Sequence, residues 1–112
     1  FLNVHEGPHA ISKNNKINFQ EGMIVSNEPG YYEKNKFGIR IENLIYVKKF
    51  KKKKFFESLT MAPIDKELIN KKLLSLEEKK WLNNYHKKVF NNIKDFMLKN
   101  EIQELEKACS II

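Results

Sequence analysis

Residues 38–47, GIRIENLIYV, alternate strictly between two kinds of side chain. Successive side chains of an extended chain point to opposite faces, so Arg40, Glu42, Leu44 and Tyr46 share one face, and Ile39, Ile41, Asn43, Ile45 and Val47 share the other. Charges opposite a run of branched aliphatics are costly to bury under apolar packing, which predicts a strand whose charged face lines a cleft. Upstream, residues 22–30, GMIVSNEPG, form a second apolar run closed by Pro29-Gly30, with Ile24, Ser26 and Glu28 on one face. EKNKFG, residues 33–38, carries turn-forming residues and predicts the reversal between two antiparallel strands. Pro29 and Gly30 are expected to turn the chain just after Glu28.

The rest of the first half reads the same way. FLNVHEG is expected as a short strand ended by Gly7-Pro8, SKNNKIN as a polar loop, and ESLTMAPI as a further strand stopping at Pro63. The period then changes. Ser75 followed by Glu78 is a capping box, and Trp81, Tyr85, Val89, Ile93 and Met97 recur at helical spacing, which predicts an amphipathic helix of about six turns. A shorter helix is expected over Glu101–Lys107. His9, His86 and Glu6 read as structural or rim residues, and Tyr31 as packing against the sheet.

The 112 residues carry a net charge of +7. Residues 1–47 hold five basic and five acidic groups, so all of the excess lies in residues 48–112. Six lysines fall in VKKFKKKKFF, a run read as a solvated loop or an edge that repels other strands. Signatures of base stacking or base reading are missing, so no nucleic-acid partner is expected. No apolar run nears the roughly 20 residues that span a bilayer, so no membrane partner is expected either. The single Cys109 excludes an internal disulfide and favours a reducing compartment. The chain opens on FLNVHEGP, without an initiator Met, which reads as a fragment of a longer protein.

His5, Glu28 and Glu42 are the residues able to carry chemistry. Carboxylates are hard oxygen ligands that suit Mg, Mn or Zn, and a glutamate binds one cation or bridges two. Two of them on adjacent antiparallel strands, leaning to one face, would form one edge of a metal pair that activates water near neutral pH. Spacing by itself leaves metal binding and solvated carboxylates both open.

The ordered set VHEGP, EGMIVSNEPGYY and FGIRIENLIYV, followed by WLNNYHKKV, resembles the C-terminal part of aminopeptidase P (Xaa-Pro aminopeptidase) in its long, eukaryote-type form. That enzyme is a pita-bread metallopeptidase related to prolidase, creatinase and methionine aminopeptidase. The resemblance implies an α/β (α+β) fold of antiparallel strands followed by C-terminal helices. Residues 1–64 would be the C-terminal portion of the catalytic domain, and 65–112 a helical extension packed on it or at a dimer interface. It implies two divalent cations, manganese first and zinc or cobalt as alternatives, with Glu28 and Glu42 as ligands, Glu42 bridging. Glu28 would also act as general base, and His5 would bind substrate and steady the tetrahedral intermediate. Tyr32 and Arg40 would hold the carboxylates in place. The family's other ligands, two aspartates and a histidine, would lie upstream of Phe1, so this fragment alone should be inactive. The implied substrates are peptides with a penultimate proline, the implied assembly a homodimer, and the implied location the cytoplasm. The alternatives are a prolidase-type dipeptidase and a metal-free pita-bread binding protein.

Overall fold

The computed structural model describes residues 5–112, so most of the strand expected over FLNVHEG lies outside the described residues, and His5 and Glu6 are in no strand. The chain divides into two compact units, Phe1–Thr60 and Met61–Ile112. The first is built from strands and the second from helices.

In the first unit, β1 (Ile24–Asn27), β4 (Asn43–Phe50) and β5 (Lys53–Ser58) form an antiparallel sheet in the order β1-β4-β5. A two-stranded ladder joins β2 (Gly30–Glu33) to β3 (Phe37–Arg40). Both ladders keep one register, from Ile24 opposite Tyr46 through Asn27 opposite Asn43 to Gly30 opposite Arg40 and Glu33 opposite Phe37. They are two halves of one long hairpin, and the interruption falls at Glu28-Pro29 and Ile41-Glu42.

Two expectations change here. GIRIENLIYV is not one strand but two, broken at Ile41 and Glu42. Pro29-Gly30 does not turn the chain. Proline has no N–H to give the ladder, yet its carbonyl still accepts the Ile41 N–H at 3.1 Å, and the register carries on beyond it. The reversal lies at residues 34–36, where the Lys36 N–H donates to the Glu33 carbonyl at 3.0 Å. Asn35 there has φ 60°, a left-handed conformation that asparagine tolerates.

Alternation decides burial. Val25, Asn43, Ile45 and Val47 are buried on one face, while Leu44 on the other is exposed. Each apolar member of that set contributes about 1.5–3 kcal/mol. The buried face stops at Asn43, since Ile39 and Ile41 are both exposed. The lysine run forms the outer half of β4, the turn at residues 51–52 and the start of the edge strand β5. Only Glu57 and Ser58 of the expected ESLTMAPI strand are extended in the sheet. Beyond them, the Thr60 hydroxyl accepts the Leu44 N–H at 2.8 Å.

The second unit contains α1 (Leu76–Ile93) and α2 (Lys99–Ala108), separated by a single 3₁₀ turn, Lys94–Phe96. The capping box is present: Ser75 N–H donates to Glu78 Oε2 at 2.8 Å, and Glu78 N–H donates to Ser75 Oγ at 3.2 Å. The Ser75 backbone N–H, and then its hydroxyl, hold the Glu78 carboxyl below its ordinary pKa. The helix ends at Ile93, about one turn earlier than expected. Its buried stripe is Leu82, Tyr85, His86 and Val89, whereas Trp81 is 55% exposed and stacks on Tyr85 with centroids 5.6 Å apart. Met97 lies beyond the helix but still packs against the cluster of Tyr85, Val89 and Leu105.

His86 is fully buried, and its Nε2 accepts the Ile64 N–H at 3.1 Å. That bond needs a lone pair on Nε2, so it exists only with the neutral ring. Burial, and then the charge of Lys66, hold His86 below its ordinary pKa of 6.5. A histidine with a lowered folded-state pKa favours folding above its unfolded pKa, and this contribution fades as pH falls from 6.5 toward the folded value. Urea unfolding followed by Trp81 fluorescence should therefore show stability falling below pH 6.5, by at most about 1.4 kcal/mol per pH unit from this group. A His86→Leu variant should lose that component of the pH dependence.

Candidate metal centre

The shared register places Glu28 directly opposite Glu42 at the break between the ladders. Opposed residues of an antiparallel pair lie on the same face, so both carboxylates leave the side that also bears Ser26 and Leu44. This side opens onto a cleft of ≈ 1150 Å³ lined by His5, Glu6, His9, Ser26, Glu28 and Glu42 among others.

Glu28 is held by both oxygens. The Ser26 hydroxyl donates to Oε1 at 2.7 Å, and Arg40 Nη1 donates to Oε2 at 2.9 Å. Arg40 Nε donates to the Tyr32 hydroxyl at 2.8 Å, so a single planar guanidinium ties a carboxylate and a phenol together. The Tyr32 hydroxyl, and then the charges of Glu28 and Glu42, hold Arg40 above its already high pKa. His5 Nε2 stands 3.5 Å from Glu28 Oε1 at the open side of the cleft.

The structure therefore brings His5, Tyr32, Arg40 and Glu28 into one connected set with Glu42 across the register. His9 joins the cleft wall, with its Nε2 donating to the Ile24 carbonyl at 2.9 Å and its ring edge against Phe19. Tyr31, on the opposite face from Tyr32, is exposed and tilts against Phe37. Ser26 was given no role from the sequence. Its signal was there: a small hydroxyl two positions before Glu28, on the same face.

Each oxygen of an ionised carboxylate has about two acceptor sites. One bond to each oxygen of Glu28 leaves capacity for a cation, and Glu42 adds a second hard oxygen donor facing the same cleft. These two residues fit one edge of a hard divalent centre and do not complete it. Among the described residues, no three His, Cys, Asp or Glu side chains come together as a set able to hold a cation.

Residues 2–49 match the model of metallopeptidase family M24, and residues 54–112 match that of the C-terminal region of peptidase M24. The chain belongs to this metallopeptidase family, and its strands and following helices are the C-terminal part of the family's pita-bread fold. It is 44% identical over 117 residues to a probable Xaa-Pro aminopeptidase P of Laccaria bicolor, an alignment covering 95% of this chain and 18% of that protein. It is 48% identical over 109 residues to one of Fusarium vanettenii, covering 86% of this chain and 17% of that protein. Its structure is similar to that of X-prolyl aminopeptidase from Caenorhabditis elegans, described as a cytosolic enzyme with a di-nuclear active site. There the TM-score is 0.84 and the identity 35%, over 99% of this chain and 20% of the worm protein. The chain thus spans about a fifth of the length of the relatives it matches.

The hydrogen bond between Arg40 and Tyr32 has a direct readout, because Arg40 is the chain's one arginine and gives one side-chain Nε–H resonance. In a Tyr32→Phe variant this proton should exchange with solvent several-fold faster. An unchanged exchange rate would mean that Tyr32 does not hold the guanidinium in solution.

Proposed function

We propose that this chain is part of a dinuclear-metal aminopeptidase that hydrolyses the bond between an N-terminal residue and a penultimate proline. The observation that carries the reading is the placement of Glu28 opposite Glu42, with Arg40 and Ser26 fixing both oxygens of Glu28. The family and the di-nuclear site of the worm relative support it. Residues 1–64 act as the C-terminal portion of the catalytic domain, and 65–112 as its helical extension. The remaining ligands come from upstream in the parent protein. Cytoplasmic location and a homodimer complete the proposal.

Glu28 and Glu42 would hold the metals, and manganese is the cation proposed. When bound, two divalent cations supply a water-derived nucleophile near neutral pH and polarise a carbonyl. The protein's own residues carry the proton and the orientation. Arg40 on Oε2 and Ser26 on Oε1 stop the Glu28 carboxylate from rotating. Glu28 Oε1 takes the proton from the attacking water and passes it to the proline nitrogen as the carbon–nitrogen bond breaks. His5, at the open side of the cleft, hydrogen-bonds the carbonyl oxygen as it gains negative charge. An X-Pro amide has no N–H for an ordinary aminopeptidase to grip, so substrate is held by its amino end and its carbonyl.

In the full-length protein, Glu42→Ala should lose bound metal and activity together, and retained turnover would defeat the assignment. Arg40→Lys keeps the charge but not the fork that reaches Glu28 and Tyr32 together, and should weaken metal binding or turnover about 10- to 100-fold. Turnover of Arg-Pro-Pro separates this reading from a dipeptidase, which requires the chain to end at proline.

A further inference from the structure

Alternation and register put Glu28, Gly30 and Tyr32 on the same face as Gly38, Arg40 and Glu42, with Gly30 opposite Arg40 and Tyr32 opposite Gly38. Both glycines are bare where Tyr32 lies. A Cβ at Gly30 would stand 2.6 Å from the Tyr32 hydroxyl oxygen and 2.7 Å from its Cε2, and a Cβ at Gly38 would stand 2.6 Å from Cδ1. In each case the three nearest atoms belong to Tyr32. One edge of the ring therefore rests over Gly38 and the hydroxyl end over Gly30, so that the ring lies flat across the two strands. Backbone conformation does not explain these glycines, since neither has the left-handed φ that Gly22 shows at 85°.

We infer that Gly30 and Gly38 are positioning residues that seat the Tyr32 ring and thereby set the orientation of Glu28 through Arg40. The seat holds the Tyr32 hydroxyl 2.8 Å from Arg40 Nε, and the same guanidinium reaches Glu28 Oε2 at 2.9 Å. Its plane also sits beside the seated ring, with Cζ 5.9 Å from the ring centroid. A methyl group at either glycine makes the ring lift. Tyr32 is 61% exposed, so lifting costs the fold little while withdrawing the acceptor of Arg40. The consequence for metal binding rests on the proposed role of Glu28; the seat itself does not.

The test uses the full-length protein and the variants Gly38→Ala, Gly30→Ala, Tyr32→Ala and the two Gly/Tyr double variants. A crystal structure of Gly38→Ala should show the Tyr32 hydroxyl beyond about 3.5 Å from Arg40 Nε. A ring still seated at 2.8 Å overturns the inference. Titration with Mn²⁺ alone should show Gly38→Ala binding about 10-fold more weakly, with a Tm within a few degrees of wild type. In the Tyr32→Ala background the same glycine substitution should cost nothing further, because the ring it displaces is gone. An equal loss with and without the ring assigns the glycine to the fold and overturns the seat. If Gly38→Ala does not fold, Gly30→Ala carries the same structure and the same cycle, since its Cβ meets the movable hydroxyl end of the ring. A wild-type protein that binds no Mn²⁺ defeats the metal reading, while the structural comparison still decides the seat.

Discussion

The site depends on one constraint, the unbroken register on either side of Pro29. The ladder loses one hydrogen bond where proline has no N–H to give, and Glu28 and Glu42 face each other beside this gap. The paired segments before and after it prevent slippage. A slip of one residue would send every side chain to the other face of the sheet, moving Val25 and Ile45 out of the core as surely as it moved the carboxylates out of the cleft. The apolar face thus fixes the position of the polar one. Burial of Val25, Ile45 and Val47 and placement of Glu28 and Glu42 are two results of the same pairing.

The lone arginine is explained at the same gap. Glu28, in the break, and Tyr32, in β2, stand on one arm of the hairpin and Arg40 on the other, and a single guanidinium reaches both. Lysine brings equal charge, but as a point donor on a flexible stem it cannot aim two fixed N–H groups at two acceptors. Twenty lysines elsewhere serve as solvated charge, where direction matters little. Here direction matters, because the guanidinium's two bonds leave the Glu28 carboxylate one orientation.

Much of this was legible in the sequence, and the misses have physical causes. Alternation in GIRIENLIYV correctly separated Ile45 and Val47 from Glu42 and Arg40, since a two-residue period survives a break that leaves the register intact. The break itself was not legible in that strand because it originates in Pro29 on the partner. The capping box at Ser75 and Glu78 was legible because it is local. The helical stripe was right except for its first member: Tyr85 and Val89 are buried and Ile93 and Met97 pack against their cluster, whereas Trp81 is exposed. Residues spaced by four advance about 40° per step beyond a full turn, which carries Trp81 past the edge of the buried stripe, while steps of three and four bring in Leu82 and His86. His86 was hidden for another reason: its partner, the Ile64 backbone, is supplied by tertiary packing. The cleft residues were proposed largely through family likeness, and Ser26 was passed over because its one mark, a small hydroxyl two positions before Glu28 on the same face, does not by itself say what it touches.

An anomalous-scattering map of the full-length protein crystallised with Mn²⁺ tests the opposed glutamates most directly. Manganese should lie within about 2.0–2.6 Å of carboxylate oxygens from both Glu28 and Glu42, the range for hard divalent cations on oxygen. Manganese bound elsewhere, or coordinated by neither glutamate, would contradict this placement.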